Sequence, residues 1–272
     1  PRTVVTIHDL GYFHFPQAHP PLARLYLDLS TRWNARVAAH VIADSQATKD
    51  DLVRHYAIAP GKITVAYPGR DEDLRRVDDP SAIEAVKYRY NVTGDYLLYI
   101  GTLQPRKNLT RLIQAFSNLQ SQISDFKMVI AGGMGWLYAD IFAEAKRLGL
   151  ESQVLFPGRV AEEDKAALLS GAEAFVFPSL YEGFGLPVVE AMQCGTPVIC
   201  SNTSSLPEVA GDAALLVDPL DVDALAQAMA RLLDDADLRR TLIERGYAQA
   251  QRFSWAACAA RVLAALESVA QG

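Results

Sequence analysis

The stretch AFVFPSLYEGFGLPVVEAMQCGTPVIC, residues 174–200, has the pattern of a strand, a loop, a helix and a second strand. The apolar runs AFVF and TPVIC are typical of buried parallel strands, and the segment between them is the crossover. Pro187 suits the first turn of a helix and Gly195 suits its end, so we predict a helix from about Leu186 to Cys194. The stretch therefore predicts a parallel strand–helix–strand unit.

The alternation of strand and helix continues on both sides of this unit. From Asp95 onward, the apolar runs DYLLYIG, KMVIAGG, QVLFPG and AALLV are each followed by a polar or amphipathic stretch. This rhythm indicates a doubly wound α/β domain. Residues 1–70 repeat it in miniature through TVVTI, AHVIADS and ITVAYPG, which is typical of the C-terminal part of another such domain.

Four segments follow from this pattern. We predict the C-terminal part of an N-terminal Rossmann-like domain at residues 1–70 and a charged linker at 71–94. A second Rossmann-like domain is expected at 95–252, and a terminal helix at 253–272 that packs back toward the first domain. Because the chain begins PRTVVTIHD, without Met and within a strand-like run, we expect further sequence upstream.

Composition restricts the classes of function. The formal net charge is -6, which argues against binding of a nucleic-acid backbone, since such binding depends on Lys and Arg. Cys194, Cys200 and Cys258 show no metal-binding spacing and fit a reducing compartment. No apolar run approaches the roughly 20 residues that span a bilayer. We therefore expect a cytoplasmic protein.

The loop before the predicted helix suits an anionic ligand. A helix N-terminus presents free N–H groups, and Gly183 and Gly185 let a ligand approach the backbone closely. Glu190, one turn into the helix, can accept hydrogen bonds from ribose hydroxyls, and Glu182 lies in the loop before it. Alternatively, Glu190 complements the helix dipole and Glu182 is a solvated acid. This stretch by itself leaves both interpretations open.

A second candidate cluster follows the first strand of the larger domain. The stretch YIGTLQPRKNLTRLIQAF, residues 99–116, places Arg106 and Lys107 in a loop before a helix. Two cations at the carboxyl end of a strand can bind a diphosphate. Basic residues at a helix start oppose the dipole, so this position favours an anionic partner. We expect replacement of Lys107 to spare stability, because a loop cation supports no core.

Together these motifs resemble one enzyme family. YEGFGLPVVEAMQCGTPVI is similar to the E-x7-E segment of glycosyltransferase family 4, the group 1 glycosyltransferases, which are retaining enzymes with the GT-B fold. GTLQPRKNL resembles that family's donor-diphosphate loop, VLFPGRV its nucleobase-side loop and FSWAACAARVL its terminal helix. The resemblance covers essentially all of residues 1–272. It implies two Rossmann-like domains that face a cleft, the N-terminal one being incomplete in this chain.

The resemblance implies a donor site and four candidate catalytic residues. It places Arg106 and Lys107 at the donor diphosphate, Glu182 at the sugar ring, and Glu190 at the ribose. His8 faces the sugar from across the cleft, and it joins Arg106, Lys107 and Glu182 as a candidate catalytic residue. The remaining donor-binding positions are Gly101, Thr102, Arg159, Val160, Gly183, Phe184, Gly185 and Leu186.

The activity implied by the resemblance is that of a retaining, metal-independent hexosyltransferase. Its donor is a nucleoside-diphosphate sugar, no cofactor is implied, and its acceptor is a glycan or a lipid-linked molecule. Many members have Arg where this chain has Thr102 and an acid where it has Gln104. The form with Thr resembles a mannosyltransferase-like branch, which favours GDP-mannose as the donor.

The resemblance also implies a place in polysaccharide biosynthesis. We expect a cytoplasmic enzyme, with peripheral association at the cytoplasmic face of the inner membrane through the region upstream. Three alternatives can use the same cleft. They are a GT-B phosphorylase, a nucleotide-sugar epimerase and a non-catalytic nucleotide-sugar-binding module.

Two further patterns suggest metal sites and are set aside. Asp71 and Asp73 form a DxD, but they lie among arginines and fit a solvated charge run. His14 and His19, together with His8, have spacings that fit neither one helix face nor a zinc signature. The sequence therefore predicts no metal ligand, and His14 and His19 are expected to be polar loop residues.

Overall fold

The computed structural model describes residues 2–16, 20–119 and 125–271, so that His19 lies outside the described residues. Within these ranges the chain forms nine strands and twelve α-helices. The strands are β1 (Val4–Ile7), β2 (His40–Ala43), β3 (Ile63–Val65), β4 (Tyr96–Ile100), β5 (Lys127–Ala131), β6 (Val154–Gly158), β7 (Ala174–Phe177), β8 (Val198–Ser201) and β9 (Ala214–Val217). The helices are α1 (Gly11–His14), α2 (Pro21–Val37), α3 (Gln46–Tyr56), α4 (Pro80–Arg89), α5 (Leu109–Leu119), α6 (Ala139–Arg147), α7 (Glu162–Ser170), α8 (Leu186–Gln193), α9 (Leu206–Ala210), α10 (Val222–Asp234), α11 (Ala236–Ala250) and α12 (Trp255–Gln271).

The strands form two parallel sheets. The smaller sheet has the order β1-β2-β3, and the larger sheet has the order β6-β5-β4-β7-β8-β9. From β4 the chain first builds outward through β5 and β6, and then returns to add β7 on the other side. The carboxyl ends of β4 and β7 therefore meet at the point where the strand order reverses. Parallel α/β sheets bind their ligands at such points.

Each sheet has its own apolar core. The strands β4 and β7 at the centre of the larger sheet carry side chains that are almost all fully buried, as their continuous apolar sequence predicts. A separate cluster that includes Leu10, Val41, Leu52 and Ile63 lies around the smaller sheet. The sequence-based prediction of two α/β units is confirmed by these two sheets and cores.

The helix α8 lies where the sequence predicts it and ends one residue earlier. Gly185 precedes it with a φ of 119°, and Gly195 follows it with a φ of 70°. Both values lie in the region that favours glycine. Pro187 occupies the first turn, where its missing N–H costs no hydrogen bond. These residues fix the start and the end of the helix.

The predicted linker, residues 71–94, contains a helix that the sequence analysis missed. Asp79 caps α4 by accepting a hydrogen bond from Ser81 N at 2.9 Å. Val86 on this helix is buried. Arg89 Nη1 donates to the carboxylate of Asp164 on α7 at 2.5 Å. The many charged residues and prolines of this segment led to the prediction of a linker. The helix has few apolar residues and packs against the larger domain.

The chain crosses between the two sheets twice, and the two crossings touch. After the second crossing α12 packs on the smaller sheet, where Ala265 lies with Ile42 of β2. At the crossings, Arg70 N donates to Phe253 O at 3.2 Å. A Cβ added to Gly69 would lie 2.3 Å from Trp255 N, so this contact requires glycine. The backbones of both crossings are thus in direct contact.

One region of the described chain is long and apolar enough to cross a membrane by length and composition. It spans Ala236–Gln271, with a mean hydropathy of 1.3 in its most apolar window. The sequence analysis did not identify it. The region comprises α11 and α12, which are separated by residues 251–254. Only 11% of its most apolar window is buried in the protein.

Candidate active site

Two cations and a carboxylate meet at the reversal of the strand order. Lys107 Nζ lies 2.5 Å from Glu182 Oε1, and Arg106 Nη1 lies 2.9 Å from Glu182 Oε2. The cations follow β4 and the glutamate follows β7, so the sheet topology brings together residues that are 75 positions apart. The side chains of Lys107 and Glu182 are each 10% exposed. We call Arg106, Lys107 and Glu182 the charged triad.

The charged triad keeps its carboxylate ionised. Burial raises the pKa of Glu182, but the charges of Lys107 and Arg106 outweigh burial and lower that pKa below its ordinary value. Burial also lowers the pKa of Lys107, against the opposing effect of Glu182. Removing one partner of a buried ion pair leaves an uncompensated charge, so we expect Lys107 to support the fold. The sequence-based expectation that its replacement spares stability stays a prediction, although the buried position of Lys107 argues against it.

Backbone contacts hold the loops of the charged triad together. Residues Pro105–Lys107 form a single 3₁₀ turn, and Asn108 follows it with a φ of 61°. Leu180 N donates to Arg106 O at 2.9 Å, and the Arg106 guanidinium also donates to Tyr181 O. Asn108 Nδ2 donates to Pro178 O, directly after β7, at 3.1 Å. The positions of the two cations are therefore fixed relative to residues 178–185 between β7 and α8, which we call the glutamate loop.

Three hydroxyl side chains that follow β8 form hydrogen bonds with the backbone of the glutamate loop. Ser204 Oγ accepts from Glu182 N at 2.9 Å, and Ser205 Oγ donates to Phe184 O at 2.6 Å. Thr203 Oγ1 donates to Leu180 O at 3.2 Å. The sequence signal for this support is the run NTSS at residues 202–205, directly after a buried strand. The sequence analysis did not use it.

Gly183 brings the glutamate loop against the end of β1 in the smaller sheet. A Cβ at Gly183 would lie 2.6 Å from His8 O, so only glycine fits between these two backbones. The His8 side chain is 77% exposed, and its Nδ1 lies 2.6 Å from Asp44 Oδ2. His8 therefore stands at the gap between the two sheets with its imidazole open to solvent and oriented by a carboxylate.

Glu190 lies apart from the charged triad and has its own cation. Its Oε1 is 3.1 Å from Lys165 Nζ, which also pairs with Glu162. Burial raises the pKa of Glu190, although Lys165 opposes this. Among the described residues, no hydrogen bond or ion pair joins Glu190 to the triad. The sequence analysis missed Lys165, because its partner lies on a different helix, 25 residues away.

The remaining candidate positions lie along the carboxyl edge of the larger sheet. Gly101 and Thr102 follow β4, and Arg159 and Val160 follow β6. The Arg159 guanidinium lies over Gly133, where an added Cβ would be 2.7 Å from its Nε. A pocket of about 320 Å³ at the ends of β5 and β6 is lined by Gly133, by Arg159 and by apolar side chains. Phe184 and Leu186 lie at the start of α8, the first buried and the second exposed.

Two interdomain contacts beside the site were not anticipated from the sequence. Tyr181, next to Glu182, donates its hydroxyl proton to Asp51 Oδ2 at 2.9 Å. Glu208 on α9 accepts from Gln46 N at 3.0 Å and from Ala47 N at 2.9 Å. Those two N–H groups begin α3, so a carboxylate of the larger domain caps a helix of the smaller one.

Comparison with known proteins gives this geometry a context. A family model described as "Glycosyl transferases group 1" matches residues 82–249, and a model described as "Glycosyltransferase Family 4" matches residues 1–74. O-antigen chain mannosyltransferase B of Escherichia coli is 35% identical over 264 residues, which cover 96% of this chain and 69% of that relative. The serotype-specific mannosyltransferase WbdA of Escherichia coli is 33% identical over 262 residues, 94% of this chain and 32% of its own length.

A solved structure shares the fold over nearly the whole chain. The crystal structure of HepE from Anabaena, in complex with UDP and glucose, is 25% identical and superposes with a TM-score of 0.84. The match covers 98% of this chain and 72% of that one. This chain thus spans from 32% to 72% of the length of these three proteins.

Proposed function

Since the chain belongs to the group 1 glycosyltransferases of family 4 and is a hexosyltransferase of the GT-B fold, we propose that it transfers mannose. The donor is GDP-mannose and the acceptor is a glycan or a lipid-linked molecule. The observation that carries this proposal is the charged triad at the reversal of the strand order. The choice of mannose rests on the mannosyltransferases among its relatives.

In this proposal, Arg106, Lys107 and the start of α8 bind the donor diphosphate. Departure of the diphosphate builds negative charge on the leaving group, and fixed cations and N–H groups stabilise that charge. Arg106 and Lys107 are held in place by Glu182, so they need little reorganisation when the donor binds. Transfer proceeds with retention of configuration. It needs no catalytic metal, because Arg106 and Lys107 supply the positive charge that a metal ion would otherwise supply.

The sugar lies between Glu182, the backbone of residues 183–185 and His8. The nucleobase enters the pocket beside Arg159 and Val160, and Glu190 binds the ribose hydroxyls next to Lys165. Arg159 and Val160 follow β6, residues 183–185 follow β7 and His8 follows β1, so these groups lie at carboxyl ends of parallel strands, where α/β folds bind ligands. The enzyme works in the cytoplasm, binds no nucleic acid, and associates peripherally with the membrane that carries its acceptor.

Calorimetric titration tests the donor. GDP and GDP-mannose should bind more tightly to the chain than UDP, ADP and their sugars do, and excess EDTA should change the affinity less than tenfold. Tighter binding of UDP would contradict the proposed donor. A loss of more than tenfold with EDTA would contradict metal independence.

The transfer step is tested with the anomeric configuration of the product. From an α-linked donor, a retaining enzyme gives an α-linked mannoside, which NMR distinguishes from the β-linked product of inversion. Release of mannose 1-phosphate that depends on phosphate would identify a phosphorylase. Conversion of the donor without acceptor would identify an epimerase, and binding with neither reaction a non-catalytic module.

A further inference from the structure

Three potential metal ligands meet where the smaller domain contacts the loop that precedes Glu182. His14 Nε2 lies 2.7 Å from Asp51 Oδ2, and His55 Nε2 lies 3.6 Å from Asp51 Oδ1. All three ligand atoms lie within 4.8 Å of one another. Asp51 and His55 are four residues apart on α3, so they point to the same side of that helix. His14 comes from α1 and completes the cluster.

Aromatic neighbours fix the orientation of each of these side chains. The ring of Phe13 lies 4.0 Å from that of His55, and the ring of Tyr181 is stacked at 4.4 Å on that of His14. The Tyr181 hydroxyl donates to the Asp51 carboxylate at 2.9 Å. Metal ligands are commonly held in this way by a second layer of hydrogen bonds and packed groups.

The cluster also contains a buried polar atom that has no hydrogen-bond partner among the described residues. His55 Nε2 is inaccessible to solvent and makes no hydrogen bond among the described residues. An imidazole nitrogen in this position costs free energy unless another group meets it. The cluster therefore offers one carboxylate and two imidazoles.

We propose that His14, Asp51 and His55 bind a divalent transition-metal ion of the Zn²⁺ class. Two imidazoles and one carboxylate suit such ions better than Mg²⁺ or Ca²⁺, which prefer oxygen ligands. At bond lengths of about 2.1 Å, tetrahedral ligand atoms lie about 3.4 Å apart. The observed separations reach this value with small side-chain movements. His14 is 30% exposed, which leaves a path for the ion and for a water as a fourth ligand.

Binding replaces the hydrogen bond of 2.7 Å between His14 Nε2 and Asp51 Oδ2. The ion takes that nitrogen in its neutral, unprotonated form. The site lies outside the charged triad and has no part in the proposed transfer reaction. It joins α1 and α3 to Tyr181, and so fixes the smaller domain to the loop that carries Glu182.

Cobalt binding tests this proposal without an activity measurement. We expect the full chain, prepared without added histidines and stripped with chelator, to bind about one Co²⁺ per chain. The bound ion should give the visible absorption bands of four- or five-coordinate cobalt. Zn²⁺ should displace it and remove those bands.

Matched variants locate the ion. His14→Gln and His55→Gln should each weaken Co²⁺ binding at least tenfold, while His40→Gln should leave it unchanged. His40 is a suitable control because its Nε2 bonds to Thr64, away from the cluster. Circular dichroism verifies that each variant is folded. Absence of stoichiometric binding to the unmodified chain, or equal binding by both cluster variants and the unmodified chain, would overturn the proposal and leave a hydrogen-bonded contact only.

Discussion

The two glutamates of the E-x7-E segment have opposite electrostatic surroundings. Glu182 faces two cations and has a lowered pKa, whereas burial outweighs the single cation beside Glu190 and raises its pKa. A lowered pKa means that the unfolded chain takes up the proton first as the pH falls. A raised pKa means that the folded chain does so. The two residues therefore contribute to stability with opposite dependence on pH.

We predict that Glu182→Gln flattens the acid limb of the stability curve. Below pH 4.5, the ordinary pKa of a glutamate, the unfolded chain is protonated at Glu182 while the folded chain is not, so stability falls as the pH falls. The variant has no carboxyl group to titrate at this position and lacks this pH dependence. It is less stable overall, because Lys107 loses its partner. Thermal unfolding between pH 3 and 6 gives the slope, and equal slopes in variant and wild type would contradict the pKa direction.

Glu190→Gln should change the curve in the opposite sense. Between pH 4.5, the ordinary pKa of a glutamate, and the raised pKa of Glu190, the folded chain holds the proton more tightly than the unfolded chain does. This residue therefore reduces stability as the pH rises. Removing the titration should make stability rise more steeply with pH in that window. The same unfolding series measures it, with Glu182→Gln as the internal comparison.

A ligand-based prediction concerns the same residue. Glu190→Ala should weaken GDP binding by about 1–3 kcal/mol, the range for hydrogen bonds to a charged group. It should weaken the 2′,3′-dideoxy analogue little, because that analogue lacks the hydroxyls. Glu162→Ala is the matched control, since it also removes a partner of Lys165. If Glu190→Ala weakened both nucleotides equally, the glutamate would serve only the helix and Lys165.

At the scale of single residues, the sequence identifies the residues of the candidate site better than it identifies the side chains with which they pair. Glu182, Arg106 and Lys107 can be found from their motifs, and the parallel order of strands predicts that they approach one another. The pairing of Glu190 with Lys165 cannot be found in this way, because it depends on the packing of α7 beside α8. The burial of Lys107 is equally hidden, since its local sequence is that of an exposed turn.

Among the elements, the glutamate loop depends on a close approach to β1. Gly183→Ala would place a Cβ 2.6 Å from His8 O, a backbone atom that cannot move without shifting the strand end. We predict a loss of about 1–3 kcal/mol in the free energy of unfolding, as for other overpacked sites, and a loss of transfer activity. Chemical denaturation measures the first and a donor-consumption assay the second.

Gly61→Ala provides the control for this prediction. Nothing lies within 4 Å of a Cβ at Gly61, and its backbone is not in the glycine region. It should be neutral or slightly stabilising, because alanine reduces the entropy of the unfolded chain. If both variants had the same stability, the close approach of Gly183 to β1 would not hold in solution.

Prediction of the elements succeeds where local chemistry sets their ends. Pro187 and Gly195 define α8, as expected from the sequence. Asp221, directly before α10, caps that helix by accepting from Ala224 N at 2.9 Å. The helix α4 was missed because its apolar face is small and its sequence resembles a linker. Its Arg89 pairs with Asp164 on another helix, a contact that no local pattern reveals.

For the molecule as a whole, Glu208 is a link between the two domains that rests on three hydrogen bonds. It accepts from two backbone N–H groups at the start of α3 and from Tyr67 Oη at 2.8 Å. We predict that Glu208→Gln lowers the free energy of unfolding by about 1–3 kcal/mol, since a charged acceptor is lost at a helix N-terminus. Glu244→Gln on the exposed side of α11 should have little effect.

Differential scanning calorimetry measures both the loss and its distribution. If Glu208 couples the domains, the variant should also show a broader or divided transition, because each sheet has a core of its own. A transition with unchanged midpoint and width would show that the contact contributes nothing to the coupling.

The contact between the two chain crossings has a kinematic consequence. Two separate connections between rigid bodies would leave one axis of rotation, the line through both. Here the connections touch at one place, through the bond from Arg70 N to Phe253 O and the fit of Gly69 against Trp255. Any relative displacement of the sheets that preserves these contacts is a rotation about that point. Sliding of one body past the other would break them, so translational degrees of freedom are removed while rotational ones remain.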